Sequence, residues 1–274
     1  MLAGQPRQCP RADGVGQDPA ATLAAGEALF NSPALLGGQA AKAGLSCAAC
    51  HPNGRSNRHF LMPRLSDAPG TADVSNSFFG PRRANGRFDP VIIPDLAMPG
   101  KVPRARDNPA LARFIRDLVV DEFSGAEPSP AMRDALAAYV RTIGACAGDS
   151  DGVQPRRLAD QLRLIDAALA AVTTSDDDAA LRAQLIAAAR HQLGLIDERY
   201  AGAGHTALRR DLLAASRDLA AFGGGDHLDR RGLANWRRRF ASGLALRLRQ
   251  SEARSLYDPA RLGGALADLS RAGD

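Results

Sequence analysis

The run Ser46-Cys47-Ala48-Ala49-Cys50-His51 decides how the rest of this 274-residue chain is read. It is C-x-x-C-H, the spacing by which a polypeptide takes c-type haem covalently. Two thiols separated by two residues reach the two vinyl groups on one edge of a porphyrin. The next residue then places its imidazole under the iron as proximal ligand. Cys47 and Cys50 are therefore the candidate thioether sites for one haem c, and His51 is the candidate iron ligand. A zinc site would need a second pair of ligands of comparable spacing. Cys9 and Cys146 stand alone, and His59 has no further cysteine beside it. A thioredoxin-like dithiol would need a βαβ setting, whereas the flanks here read as helix followed by loop.

Working outward, residues 19–31 predict a first helix through Leu23, Ala24, Gly26, Leu29 and Phe30. Residues 52–108 are dense in Pro, Gly and Asn, with Pro63, Pro69, Pro81, Pro90, Pro94, Pro99 and Pro103 among them. So long a segment with little regular structure needs something to wrap around, and a haem is a suitable object. Residues 109–122 read as a helix with Leu111, Phe114, Ile115 and Leu118 on one side. Residues 130–143 read as another, opened by Ser129-Pro130 and carrying Leu136, Tyr139, Val140 and Ile143.

Composition changes at residues 148–154, a linker rich in Gly and Asp. Beyond it the chain is rich in Ala, Leu and Arg, with four helical stripes. They are Leu158, Leu162, Ile165, Leu169 and Val172; Leu181, Leu185, Ala189, Leu193, Ile196 and Tyr200; Leu208, Leu212, Ala215, Leu219 and Phe222; and Leu233, Trp236, Phe240 and Leu244. The expected fold class is all-α. An irregular arm (1–18) leads into a haem domain with long loops (19–147), then the linker (148–154) and a four-helix bundle-like domain (155–274).

Residues 19–145 resemble a class I-type cytochrome c domain, in a divergent form related to the cytochrome c peroxidase-like cytochromes. Gly26-Glu27-Ala28-Leu29-Phe30 is similar to that family's first helix, where a Gly and an aromatic meet the last helix. Leu136-Ala137-Ala138-Tyr139-Val140 is similar to the last helix, with Tyr139 as its aromatic. The resemblance implies that Pro63, in Met62-Pro63-Arg64-Leu65, offers its carbonyl to the proximal imidazole, although Met62 stands where the family usually has Gly. It further implies that Met98, in Leu96-Ala97-Met98-Pro99-Gly100, is the distal iron ligand, with His59 as the alternative. A loop methionine that merely fills space is the competing reading of Met98.

The implied function is that of a monohaem cytochrome carrying single electrons to redox protein partners from the periplasm or another exported location. A peroxidase-like enzyme, or a gas or redox sensor with an open or displaceable distal site, is the alternative. The single C-x-x-C-H departs from the di-haem peroxidases, which carry two. Haem attachment outside the cytoplasm also permits disulfides. Cys9 and Cys146 bracket the haem segment and are expected to pair, closing a loop worth about 4–5 kcal/mol. Two unpaired thiols are the other reading. No signal peptide is visible after Met1, so the leader is expected to have been removed or the native start to lie elsewhere.

Several features exclude other classes. Hydrophobic residues are 45% and charged residues 24% of the chain, which argues against wholesale disorder. No run of eighteen apolar residues exists, so a transmembrane segment is excluded. The net charge of +5 is mild, and all cations but Lys42 and Lys101 are arginine, a bias of coding composition rather than nucleic-acid binding. Arg55, Arg58, Arg82 and Arg83 are either haem-propionate partners or solvated. Phe78 and Phe79 pack on the porphyrin or in the core. The run Trp236-Arg237-Arg238-Arg239-Phe240 admits peripheral membrane contact, but is better read with both rings facing the bundle. His191, His205 and His227 are too dispersed to be read as metal ligands.

Overall fold

The computed structural model describes residues 4–9, 11, 18–75, 87–145, 153–175, 178–202, 204–225, 227–258 and 260–264, and these are mostly helical. Helix α1 (Ala20–Phe30) starts directly after Pro19 and buries every residue from Ala25 to Phe30. It does so because it packs against α5 (Pro130–Thr142) and also against α6 (Leu158–Val172) and α7 (Ala179–Arg199). At the α1–α5 crossing a Cβ on Gly26 would sit 2.0 Å from the Ala135 carbonyl oxygen and 2.7 Å from Tyr139 Cβ. Only glycine permits that approach. One turn on, the Phe30 and Tyr139 rings meet at 5.3 Å between centroids, tilted by 60°. The expected Gly-and-aromatic contact between first and last helix of the segment is present.

Two short helices follow α1: α2 (Gly38–Lys42) and the single turn α3 (Cys47–Cys50). From there to residue 108 the described chain is loop, broken by a 3-10 turn at Pro52–Gly54 and an antiparallel pairing of Thr71–Ala72 with Val91–Ile92. Helix α4 (Ala110–Asp117) ends in a π-helical turn at Leu118–Glu122. Its expected apolar side holds for the buried Leu111 and Ile115. Phe114, however, is exposed, because it lies at the edge of the stripe set by the i, i+4 pair Leu111 and Ile115.

The second half follows its periodicity closely. Helices α6, α7, α8 (Thr206–Ala220) and α9 (Arg230–Arg239) coincide with the four stripes, and α9 runs through a π turn at Phe240–Leu244 into α10 (Ala245–Ser251). Trp236 and Phe240 stack at 4.9 Å, nearly parallel. Trp236 is buried while Arg238 and Arg239 face water. No helix among the described residues is long and apolar enough to cross a membrane.

Two expectations need revision. The N-terminal arm is not irregular throughout. The strand Gly4–Pro6 pairs antiparallel with Val153–Pro155, drawing the arm onto the segment read as a linker. Asn53 Nδ2 donates to the Pro6 carbonyl (2.7 Å), and Gly144 N–H donates to the Cys9 carbonyl (2.9 Å), so backbone groups of the arm find partners on the body. Nor does the core divide at residues 148–154: one apolar cluster runs from Ala25 through Ile143 to Leu158 and on to Leu248. Glu27 of α1 takes a bidentate ion pair from Arg163 of α6, both contacts 2.7 Å. The composition shift at the linker marks a change of style, not a break in packing.

Candidate functional site

Helix α3 is a single turn, too short to stand on its own backbone bonds. It is fixed instead by what surrounds it. His51 N–H donates to the Cys47 carbonyl (2.8 Å), Asn57 N–H to the Cys50 carbonyl (3.1 Å) and Asn57 Nδ2 to the Ala49 carbonyl (2.8 Å). Asn57 thereby satisfies two carbonyls that the end of the turn leaves open. Gly54 follows at φ +77, where a Cβ would stand 2.5 Å from the Ile143 side chain. The chain after His51 is thus pressed onto the end of α5.

Cys47 and Cys50 are free thiols. Burial pushes the Cys47 thiol up to about 11 and the Cys50 thiol up to about 12, the latter also raised by Cys47. Both are neutral at physiological pH, the opposite of an activated dithiol, which needs an electropositive setting. Among the described residues no group of three or more His, Cys, Asp or Glu is gathered to hold a metal ion. Burial likewise pulls the His51 imidazole down to about 4, opposed by the Pro94 backbone and the Asp95 charge. The turn thus presents two neutral thiols followed by a neutral imidazole, without the electropositive surroundings that would favour thiolates.

The ring's surroundings differ from expectation. His51 Nδ1 is buried with no hydrogen-bond partner. The Pro63 carbonyl does not supply one; Pro63 is exposed on the turn in which Leu65 and Ser66 N–H both donate to the Met62 carbonyl at 3.0 Å. The backbone beside the imidazole is that of Pro94, and proline has only a carbonyl to offer. Pro94-Asp95-Leu96 repeats the Pro-x-Leu pattern of Pro63-Arg64-Leu65. Leu96 N–H donates to the Gly54 carbonyl (3.1 Å), Ser56 Oγ to the Ile93 carbonyl (2.7 Å) and Arg55 Nε to Asp95 Oδ2 (2.6 Å). Together these contacts lay residues 93–96 along residues 54–56. Arg104, which the motif reading passed over, donates to the Val140, Arg141 and Leu96 carbonyls and ties this loop to the last turn of α5.

Met98 lies just beyond, on a turn closed by Met98 N–H to the Asp95 carbonyl (3.2 Å), and is 52% exposed. His59 is exposed, while Met62 is half-buried against the core. Arg55 is engaged by Asp95, Arg58 is exposed, and Phe78, Phe79, Arg82 and Arg83 lie outside the described residues. Cys9 is in a disulfide; its expected partner Cys146 also lies outside them. Of the dispersed histidines, His205 is buried, its ring against Tyr200 (5.2 Å) and its Nε2 at 3.1 Å from the Arg254 carbonyl.

No family model, curated protein or solved structure matches this chain.

The site therefore rests on its own chemistry: two neutral thiols one helical turn apart, followed by a half-buried neutral imidazole with the Pro94 backbone beside it.

Proposed function

We propose that the chain is a monohaem c-type cytochrome that carries single electrons, with haem c bonded to Cys47 and Cys50 and His51 as proximal ligand. The observation that carries this reading is the half-buried Cys47–His51 turn, packed against the core, in which both thiols and the imidazole are held neutral. Burial costs a thiolate or imidazolium dearly, whereas thioethers and a metal-bound imidazole lose nothing by it. When bound, the haem supplies a one-electron iron couple whose potential is set by its axial ligands and by burial. Asn57, Gly54 and Ile143 hold the turn, and the Pro94 carbonyl is the acceptor that would orient the His51 ring and raise its basicity. The reading includes maturation outside the cytoplasm and a protein redox partner.

Met98 remains the proposed distal ligand. Its exposure favours a second reading, in which the distal position is open or readily displaced and the protein is a peroxidase-like enzyme or a sensor. The ferric spectrum of the matured protein separates them. A low-spin spectrum with the weak far-red band of methionine-ligated iron, lost in Met98→Ala, supports the electron carrier. A high-spin spectrum that changes at once with peroxide supports the open site.

A further inference from the structure

The fourth apolar stripe, Leu233, Trp236, Phe240 and Leu244, is interrupted where α9 runs into the π turn Phe240–Leu244. Across that turn the residue in line after Phe240 is five positions on instead of four. Ala245 therefore takes the place that Leu244 would hold in a regular α-helix, and Arg249 follows it four residues later. Leu244 is buried but does not line the space in front of Ala245. A methyl group where an isobutyl group would stand leaves a gap against α6. The gap is a groove of about 420 Å³, within the roughly 300–1,000 Å³ of small-molecule sites.

The groove has an apolar wall and a charged rim. Leu162 of α6, the buried Trp236 and the half-buried Phe240 stacked on it form the wall. Arg163, Asp166, Arg237 and Arg249 form the rim. Three of these charges already have partners. Arg163 holds Glu27, both contacts 2.7 Å, and Arg237 Nη2 donates to Asp166 Oδ1 at 2.6 Å. Arg249 is exposed and has no hydrogen bond or ion pair from its side chain among the described residues. The groove thus offers aromatic and aliphatic surface beside one uncommitted cation. A guanidinium matches a carboxylate as fork to fork, and Asp166 on the same rim repels further negative charge, which favours a monoanion over a phosphate.

We propose that this groove binds an amphipathic monocarboxylate, with its apolar body against Leu162, Trp236 and Phe240 and its carboxylate on the Arg249 guanidinium. No residue of the Cys47–His51 turn lines the groove, so the site stands or falls apart from the haem reading.

Calorimetric titration of the full chain with decanoate and with 4-phenylbutyrate tests it, with acetate as the charge without the body and 4-phenylbutanol as the body without the charge. Saturable binding of at least one of the two amphipathic carboxylates is expected, tighter than either control, and the tighter of the two tells an aliphatic from an aromatic ligand. Arg249→Gln should weaken that binding about fivefold and leave 4-phenylbutanol unaffected. Ala241→Leu adds bulk at an exposed lining position and should weaken it about tenfold or more. Arg210→Gln, a change at a well-exposed arginine outside the groove, should bind as the parent does. Arg249→Gln should also unfold at the parent's temperature, since it removes no bond of the fold. Absence of saturable binding by both carboxylates, equally tight binding of 4-phenylbutanol, undiminished binding in Arg249→Gln or in Ala241→Leu, or a clearly lowered unfolding temperature in Arg249→Gln overturns the proposal.

Discussion

Residues 52–108 and residues 158–251 satisfy buried backbone by opposite means. In the second stretch, α6 to α10 close their own hydrogen bonds and need the rest of the chain only to cover an apolar stripe. Among the described residues of the first, satisfaction comes largely one group at a time from side chains and distant backbone: Asn57 on the Ala49 carbonyl, Ser56 on Ile93, Arg104 on Leu96 and on the end of α5. The helical stretch is specified locally and the loop stretch by long-range contacts. A loop stretch held in this way suits a site that must hold a ring and a backbone carbonyl in fixed relation.

Substitutions on both sides test this contrast. The largest effect is expected where the helical half departs from its own rule. Arg199 is 2% exposed at the end of α7, donating to Gln161, Glu252 and the Arg156 carbonyl and lying 4.5 Å over the Tyr257 ring. Arg199→Ala should cost about 3–5 kcal/mol in urea unfolding; a loss below about 1 kcal/mol would mean that the apolar stripes alone hold the bundle. Next comes the loop half, where Gly54→Ala places a methyl group against Ile143 in a backbone conformation that favours glycine. A loss of about 2–3 kcal/mol is expected by the same measurement.

A pH effect of about 1–2 kcal/mol should follow. Burial and Arg156 lower His191 from 6.5 to about 4, so its contribution is full above 6.5 and is lost as pH falls toward 4, where the unfolded chain takes the proton first. Stability should decline across that window in wild type and less steeply in His191→Gln, read from unfolding midpoints at a series of pH values. The smallest effect has the opposite sign. Gly194 lies within α7, where an added Cβ meets nothing. Gly194→Ala should stabilise by about 0.5–1 kcal/mol; a destabilisation would show that the helical half is not governed by local propensity there.

The same contrast explains what the sequence discloses. Helices α6 to α9 lie where their stripes put them because 3.6-residue periodicity is a local signal. The Gly26–Tyr139 crossing was legible only through the resemblance of its two helices to a known pattern; no local signal pairs residues so far apart, although a missing Cβ is what permits the approach. The segment around His51 was half legible. The thiols and the imidazole announce themselves, but two Pro-x-Leu patterns follow them, at Pro63 and at Pro94. Only the folded chain shows that the second lies beside the ring, since the Leu96–Gly54 and Arg55–Asp95 contacts that bring it there span about forty residues. The shared core of the two halves was hidden for a related reason: Glu27 and Arg163 are ordinary helix residues until α1 and α6 meet. The buried Arg199 and Gln161 carry no periodic mark at all.

The proposed function requires covalent attachment of haem at Cys47 and Cys50, which intact-mass analysis reads out. The full chain, secreted from a host that attaches haem c, is predicted to weigh the polypeptide plus one haem, an increment that survives denaturation and vanishes in Cys47→Ala/Cys50→Ala. A protein from that host with only the polypeptide mass, alongside a control cytochrome that is loaded, would contradict the account.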